Sequence, residues 1–209
     1  MKYVSIDLET TGLDPEKCQI LEFGAIIEDT DNKLPFDELP KFKKVIYHEE
    51  IKGGAFALNM NVRILSILAQ YQSQFDKYSN GKITSEELKT FSRENNIITL
   101  KGLAFDFYNF LEPHFLPGLE SGAQINISVA GKNFGMFDYQ FLKRVPDMER
   151  IIKFKSRVLD PAILCVDWKN DKALPGLLDC KKRHEVTGEV THDALEDAWD
   201  VIQVLRKFY

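Results

Sequence analysis

Asp7 and Glu9 stand two residues apart in a stretch of alternating apolar and polar residues, so on a strand both carboxylates point to one face. Paired acids on a half-buried face repel and are costly unless cations lie between them, and hard divalent ions such as Mg²⁺ or Mn²⁺ prefer oxygen ligands. A solvated strand end is the bland alternative. Gly12, just beyond in Asp7-Leu8-Glu9-Thr10-Thr11-Gly12-Leu13-Asp14, supplies a tight turn that brings backbone close to whatever the acids bind.

A third acid, Asp138, follows a buried run and the Gly-containing loop Gly131-Lys132-Asn133-Phe134-Gly135. In an α/β sheet the carboxyl end of a strand is where ligand sites form, so Asp138 can meet the first pair there. Alone, it reads equally as a first-turn Asp favoured by the helix dipole. The third group is Thr191-His192-Asp193-Ala194-Leu195-Glu196-Asp197. Asp193 and Glu196 have the spacing of an N-cap and its capping-box partner, which leaves His192 on the loop before the helix and Asp197 one turn inside it. A histidine beside metal-bound acids can accept a proton from water near neutral pH; an exposed loop histidine is its bland alternative.

The elements that must position these residues are legible as periodicity. Residues 3–9, 20–28 and 42–47 read as strands joined in a meander, with the two-proline segment 29–40 as a long connection. Helical spacing predicts helices over 57–74, 100–111, 137–144 and 193–207, with strands at 125–130 and 157–159. Strands alternating with helices give an α/β class. At 209 residues, the chain fits a single domain, 1–209, carrying a helical insertion around 57–112.

Composition narrows the function classes. A net charge of −5 argues against a protein that coats duplex nucleic acid, which requires many Lys and Arg contacts to phosphate, but it suits an enzyme whose site is built from clustered carboxylates. Cys18, Cys165 and Cys180 are widely spaced and form no CxxC pair, so a disulfide framework or zinc site is not expected, and a cytoplasmic location is. The chain opens directly into Tyr3-Val4-Ser5-Ile6, with no signal-like run and no apolar span, so no membrane association is expected.

Taken jointly, the three groups resemble the DEDDh, or DnaQ-like, 3′→5′ exonucleases along the whole chain. The first motif is Asp7-Leu8-Glu9-Thr10-Thr11-Gly12-Leu13, the second ends at Asp138, and the H-x-A-x-x-D third motif is His192 to Asp197. The resemblance implies a ribonuclease-H-like three-layer fold, with a central mixed sheet of about five strands flanked by helices. It implies two divalent metal ions, Mg²⁺ or Mn²⁺, held by Asp7, Glu9, Asp138 and Asp197, with Asp7 shared by both ions, Glu9 and Asp197 on the water-activating side and Asp138 on the leaving-group side. His192 would be the general base for hydrolysis that releases nucleoside monophosphates. Thr10, Thr11, Gly12, Leu13 and Asn133 would bind substrate, the backbone near Thr10 and Thr11 at the terminal sugar and Leu13 against the last base. The implied partner is a single-stranded nucleic acid 3′ end; a polymerase partner or a homodimer is left open. Asn133-Phe134 stands where many DNA-proofreading members carry His-Asn, and Ala130-Gly131-Lys132-Asn133 is similar to oligoribonucleases, whereas Glu9-Thr10-Thr11 is similar to the DNA-trimming branch. Three readings therefore stand: a nuclease acting on single-stranded DNA, or on DNA and RNA; an RNA-trimming oligoribonuclease; and a non-catalytic exonuclease-like binding module.

Other segments carry chemistry-bearing patterns. Residues 76–87 match an EF-hand loop at Gly81, Ile83 and Glu87, but Tyr78 replaces an oxygen ligand, and the competing reading is an insertion turn with a helix beginning at Ser85. Lys181-Lys182-Arg183-His184 reads as a phosphate contact or a solvated helix end, Lys153-Phe154-Lys155 as exposed strand or loop. Asp160, before Pro161, competes with Asp138 as third ligand or simply starts a helix.

Overall fold

The computed structural model describes residues 1–116, 122–188 and 191–209. Strands β1 (Lys2–Thr10), β2 (Ile20–Asp29) and β3 (Lys41–Tyr47) form the expected antiparallel meander. Helices α1 (Ala55–Met60), α2 (Val62–Ser79) and α3 (Ser85–Glu94) follow, then β4 (Ile97–Thr99) and α4 (Leu100–Phe115). The second half holds β5 (Ile125–Ile127), β6 (Val129–Ala130), α5 (Asp138–Leu142), α6 (Met148–Ile151), β7 (Ile152–Phe154), α7 (Pro161–Cys165), α8 (Leu177–Arg183) and α9 (Ala194–Leu205). The main sheet has five strands in the order β4-β3-β2-β1-β6, mixed because β4 and β6 join in parallel, and β5 pairs with β7 in a second sheet. This is the expected α/β, ribonuclease-H-like arrangement.

Alternation along β1 divides the molecule. Val4, Ile6 and Leu8 point into the larger core, where α4 supplies Leu103, Phe107 and Leu111. Each such side chain, fully buried, contributes roughly 1.5–3 kcal/mol of transfer free energy. The other face of β1 carries Tyr3, Ser5, Asp7 and Glu9 toward α9, whose Ala198, Val201, Ile202 and Leu205 complete a second core with Tyr3 and Ile26. Ser5 Oγ donates to the Ala198 carbonyl at 2.8 Å, tying helix to strand. On this side the apolar packing stops at Asp7, and the acids begin.

Several elements differ from the periodicity. The run 57–74 is broken at Asn61, which ends α1 and starts α2; its buried amide group donates to the Ala57 carbonyl at 3.0 Å and the Thr10 carbonyl at 3.3 Å. The single strand expected over 125–130 is two strands in different sheets, interrupted at Ser128, whose carbonyl instead accepts from Val4 N. Only Leu159 of 157–159 bridges, to Ala130. Within the helical stretch, α4 belongs to the larger core, whereas α2 covers Leu21 and Val45 with Ile64 and Leu68. No described helix is long and apolar enough to cross a membrane.

Candidate active site

Strand β1 delivers Asp7 and Glu9 at the end of the sheet where it also meets α5 and the start of α9. Asp138, the first residue of α5, is 2% exposed and accepts from Leu8 N at 3.1 Å, so its carboxylate is held against the strand between the two β1 acids. From the opposite side, α9 brings Asp197, 6% exposed, and the preceding loop brings His192, whose φ of +54° lies in the left-handed region. One ligating atom from each of Glu9, His192 and Asp197 lies within 4.8 Å of the others. Asp7, Glu9, Thr10, Gly12, Leu13, Asp197 and His192 line a cleft of about 400 Å³.

The electrostatics of this cluster are those of acids packed without enough cation. Burial first, then the charges of Asp138, Asp197, Glu9 and Glu22, hold the Asp7 carboxyl well above the ordinary carboxylate range. Burial lifts Asp138 to about 8. Burial followed by the Asp197 charge lifts Glu9 to about 7, and burial followed by Asp200 lifts Asp197 to about 7. Asp197 Oδ1 is buried with no hydrogen-bond partner among the described residues, a state that costs stability unless another group meets it. Converging carboxylates, an imidazole and an orphaned carboxylate oxygen are the donor set a hard divalent cation requires, so the residues present fit such an ion.

The remaining expected substrate residues separate. Leu13 is 83% exposed at the cleft rim. Thr10 Oγ1 donates to the Gly12 carbonyl at 2.8 Å, shaping the turn, and a Cβ on Gly12 would stand 2.7 Å from Cys18 Sγ. Thr11 is fully buried, and its hydroxyl donates to the Lys52 carbonyl while accepting from Gln19 N, so its side chain braces the 48–54 loop. Asn133 is exposed at φ +59° and is not among the residues lining the cleft; its amide donates to Asp160 at 2.8 Å. Asp160 therefore caps α7 and ties the loop before α5, with no place beside the acids. Sequence reasoning did not find Phe56, Met60, Asn61 and Phe137, which also line the cleft. Phe56, 78% exposed, carried no periodic signal because it belongs to the short helix α1.

Two expected devices differ in detail. Asp193 caps α9 by accepting from Leu195 N and Glu196 N, but Glu196 does not return the bond: its carboxylate accepts from Thr191 Oγ1 at 2.7 Å. The basic cluster at 181–184 divides: Lys182 and Arg183 are exposed at the end of α8, Arg183 pairing with Asp171, whereas Lys181 is 1% exposed and paired with Asp200, and His184 packs edge-on against Phe208.

The exonuclease family RNase_T matches residues 4–112, which carry the first motif and the strands that hold it. The chain belongs to this exonuclease family. Solved structures agree on the fold: exonuclease I of Methylocaldum szegediense superposes with a TM-score of 0.58 at 16% identity, over 99% of this chain and 40% of that one. E. coli exonuclease I in complex with a dT13 oligonucleotide gives 0.57 at 13% identity, over 98% and 40%. Cell-death related nuclease 4 gives 0.53 at 14% identity, over 99% and 63%. A curated sequence, the DNA-directed RNA polymerase subunit beta′ of Cyanophora paradoxa, is 24% identical over 201 residues, 91% of this chain and 31% of its own length. The chain thus spans about 40% of the length of the two exonuclease I structures. In this exonuclease chain Asp138, His192 and Asp197 lie outside the matched segment, so their place in the site rests on the fold that joins them to Asp7 and Glu9.

Proposed function

We propose that the chain is a metal-dependent 3′→5′ exonuclease that releases nucleoside monophosphates from the 3′ end of single-stranded nucleic acid, with single-stranded DNA as the first substrate to test. The carrying observation is the convergence of Glu9, His192 and Asp197 within 4.8 Å, backed by Asp7 and Asp138, at a cleft open to solvent. Asp7, Glu9, Asp138 and Asp197 would hold two divalent ions, Mg²⁺ or Mn²⁺. Such ions, when bound, neutralise the scissile phosphate and favour ionisation of the attacking water and departure of the 3′ oxygen.

The chain's own groups do the rest. His192, exposed on its loop yet beside Glu9 and Asp197, takes the proton from the attacking water at a ring nitrogen. Hydrolysis consumes one water, breaks the bond from phosphorus to the penultimate 3′ oxygen, and leaves a 5′-monophosphate and a new 3′ hydroxyl. The apolar side chains of Leu13 and Phe56 at the rim, 83% and 78% exposed, offer surfaces for the terminal base. Thr10 and Gly12 set the backbone turn that faces the terminal sugar. The complexes of E. coli exonuclease I with a dT13 oligonucleotide and with single-stranded DNA support a single-stranded DNA ligand for this fold.

Digestion of matched DNA and RNA oligonucleotides carrying a 5′ label, with Mg²⁺ or Mn²⁺, tests this reading. A ladder shortening one nucleotide at a time from the 3′ end is expected on single-stranded DNA. Strong preference for short RNA would move the assignment to an oligoribonuclease, and tight binding without cleavage of either would make the chain a binding module.

A further inference from the structure

Behind the acids lies a second charged cluster, in which the carboxylates are paired with cations. Glu22 on β2 faces Glu9 on β1 in the strand register and is fully buried. Its two carboxylate oxygens accept from Arg63 Nη2 at 3.0 and 2.9 Å, Lys43 Nζ stands at 3.4 Å, and one oxygen accepts from Ala194 N at 3.1 Å. Both cations also reach Asp193, the cap of α9: Arg63 at 3.1 Å and Lys43 in direct contact. Each therefore bridges the sheet and the first turn of the helix.

We propose that the Glu22–Arg63–Lys43–Asp193 cluster positions the His192–Asp197 corner, fixing where α9 begins on the sheet and hence where the imidazole and the Asp197 carboxylate stand relative to Glu9. This inference rests on the nuclease reading given above. Ala194, whose amide Glu22 holds, is two residues after His192 and three before Asp197. Gly24, two residues along from Glu22 on the same face of β2, removes the slack: a Cβ there would stand 2.3 Å from the Ala194 carbonyl carbon. The helix start lies directly on the strand, with Lys43 alongside Gly24 in the β2–β3 register. His192 takes a left-handed backbone conformation that a non-glycine residue keeps only when its surroundings enforce it. Arg63 comes from α2, so a helix outside the three motifs reaches the catalytic corner through this cluster.

The test compares Arg63→Met, Arg63→Lys and Glu22→Gln, with Lys44→Met as a control, because Lys44 pairs with Asp106 at 2.9 Å away from α9. On Mn²⁺-loaded full chain, Arg63→Met and Glu22→Gln should lower kcat by about 10- to 100-fold, as displacements near 1 Å do, with KM little changed. Arg63→Lys should recover part of the loss, and Lys44→Met should match wild type. Added to His192→Ala, Arg63→Met should cost little more, since both act on the same step. In the metal-free protein, hydrogen exchange of the Ala194 amide should accelerate in Arg63→Met and Glu22→Gln. A rise in KM at unchanged kcat would make Arg63 a substrate contact and overturn the proposal, as would full additivity with His192→Ala or unchanged Ala194 exchange. Arg63 is 44% exposed, so Arg63→Met keeps the test available should Glu22→Gln fail to fold. A wild-type protein inert on single strands would defeat the nuclease reading, while Ala194 exchange would still decide the positioning claim.

Discussion

The acid-lined cleft and the loop at 76–87 both carry acidic spacings that suit a cation, and they resolve oppositely. In the cleft, burial lifts Glu9 and Asp197 to about 7, and Asp197 Oδ1 has no partner among the described residues. In the loop, Glu87, the residue that would close an EF-hand, turns back to accept from Thr84 N at 2.7 Å and Thr84 Oγ1 at 2.8 Å. Those bonds hold its carboxyl below the ordinary range. Thr84 and Glu87 form a reciprocal capping box, and Ser85 begins α3. Spacing proposes a cation site in both regions. What separates them is Asp197 Oδ1, buried without a partner among the described residues, against Glu87, whose carboxylate is already bonded.

The largest effect that could break this contrast is loss of a cleft acid. Asp7→Ala and Asp138→Asn should each abolish detectable digestion while leaving a folded chain, and Asp7→Ala should melt above wild type in the absence of metal because it relieves a carboxyl pushed up by burial and by Asp138, Asp197 and Glu9. Near-wild-type turnover in either variant would remove the site from this cleft. His192→Ala comes next: about 10²–10⁴-fold lower turnover is expected for loss of a general base, with Mn²⁺ affinity largely kept by the acids. Isothermal calorimetry beside digestion rates separates the two. Lost metal affinity, or unchanged turnover, would take His192 out of that role.

The cleft half of the contrast was largely legible in sequence because its signals were spaced by secondary structure. The i, i+2 acids of β1, the cap position of Asp193 and the helical offset to Asp197 each follow from a local period. What escaped was long-range. Glu22 lies in a largely apolar strand, and nothing local links it to Arg63, 41 positions away, or to Ala194, 172 away. The helix and strand periods also missed β4 and α6, and β7, α7 and α8 were marked only in part, by the strand-or-loop reading of 153–155, the helix start at Asp160 and the helix end at 181–184; these elements are short enough that pairing and packing, rather than a repeating face, define them. The break at Asn61 is of the same kind, since its amide is recruited by the Thr10 carbonyl.

A smaller effect sharpens the electrostatic side. Glu9 and Asp197 at about 7 and Asp138 at about 8 all lie above their values in an unfolded chain, near ~4. Between those limits the folded protein binds more protons than the unfolded one, so these groups make stability fall as pH rises from about 4 toward 8. Metal-free protein should therefore melt lower at pH 8 than at pH 6, each ~1 kcal/mol moving Tm by about 2–4 °C for a chain of this size. Mn²⁺, which binds the ionised carboxylates, should raise Tm more at pH 8 than at pH 6. Scans of wild type and Asp138→Asn, with and without Mn²⁺, measure both trends. A metal-free Tm that climbs from pH 6 to 8 would contradict the packing of these acids.

The smallest effect is expected at the loop, and it tests the contrast from the other side. Ca²⁺ should bind the cleft carboxylates, yet support little cleavage because its longer and looser coordination positions an attacking water poorly. Glu87→Ala should leave the number and affinity of calcium sites unchanged by calorimetry, since its oxygens serve Thr84 rather than an ion. Thr84→Ala, which removes the cap of α3, should cost about 0.5–2 kcal/mol of stability with no change in turnover. Asp7→Ala, by contrast, should remove calcium binding together with activity. A calcium site lost in Glu87→Ala and kept in Asp7→Ala would reverse the assignment: the ion would belong to the 76–87 loop, and Asp197 Oδ1, unpartnered among the described residues, would need another explanation.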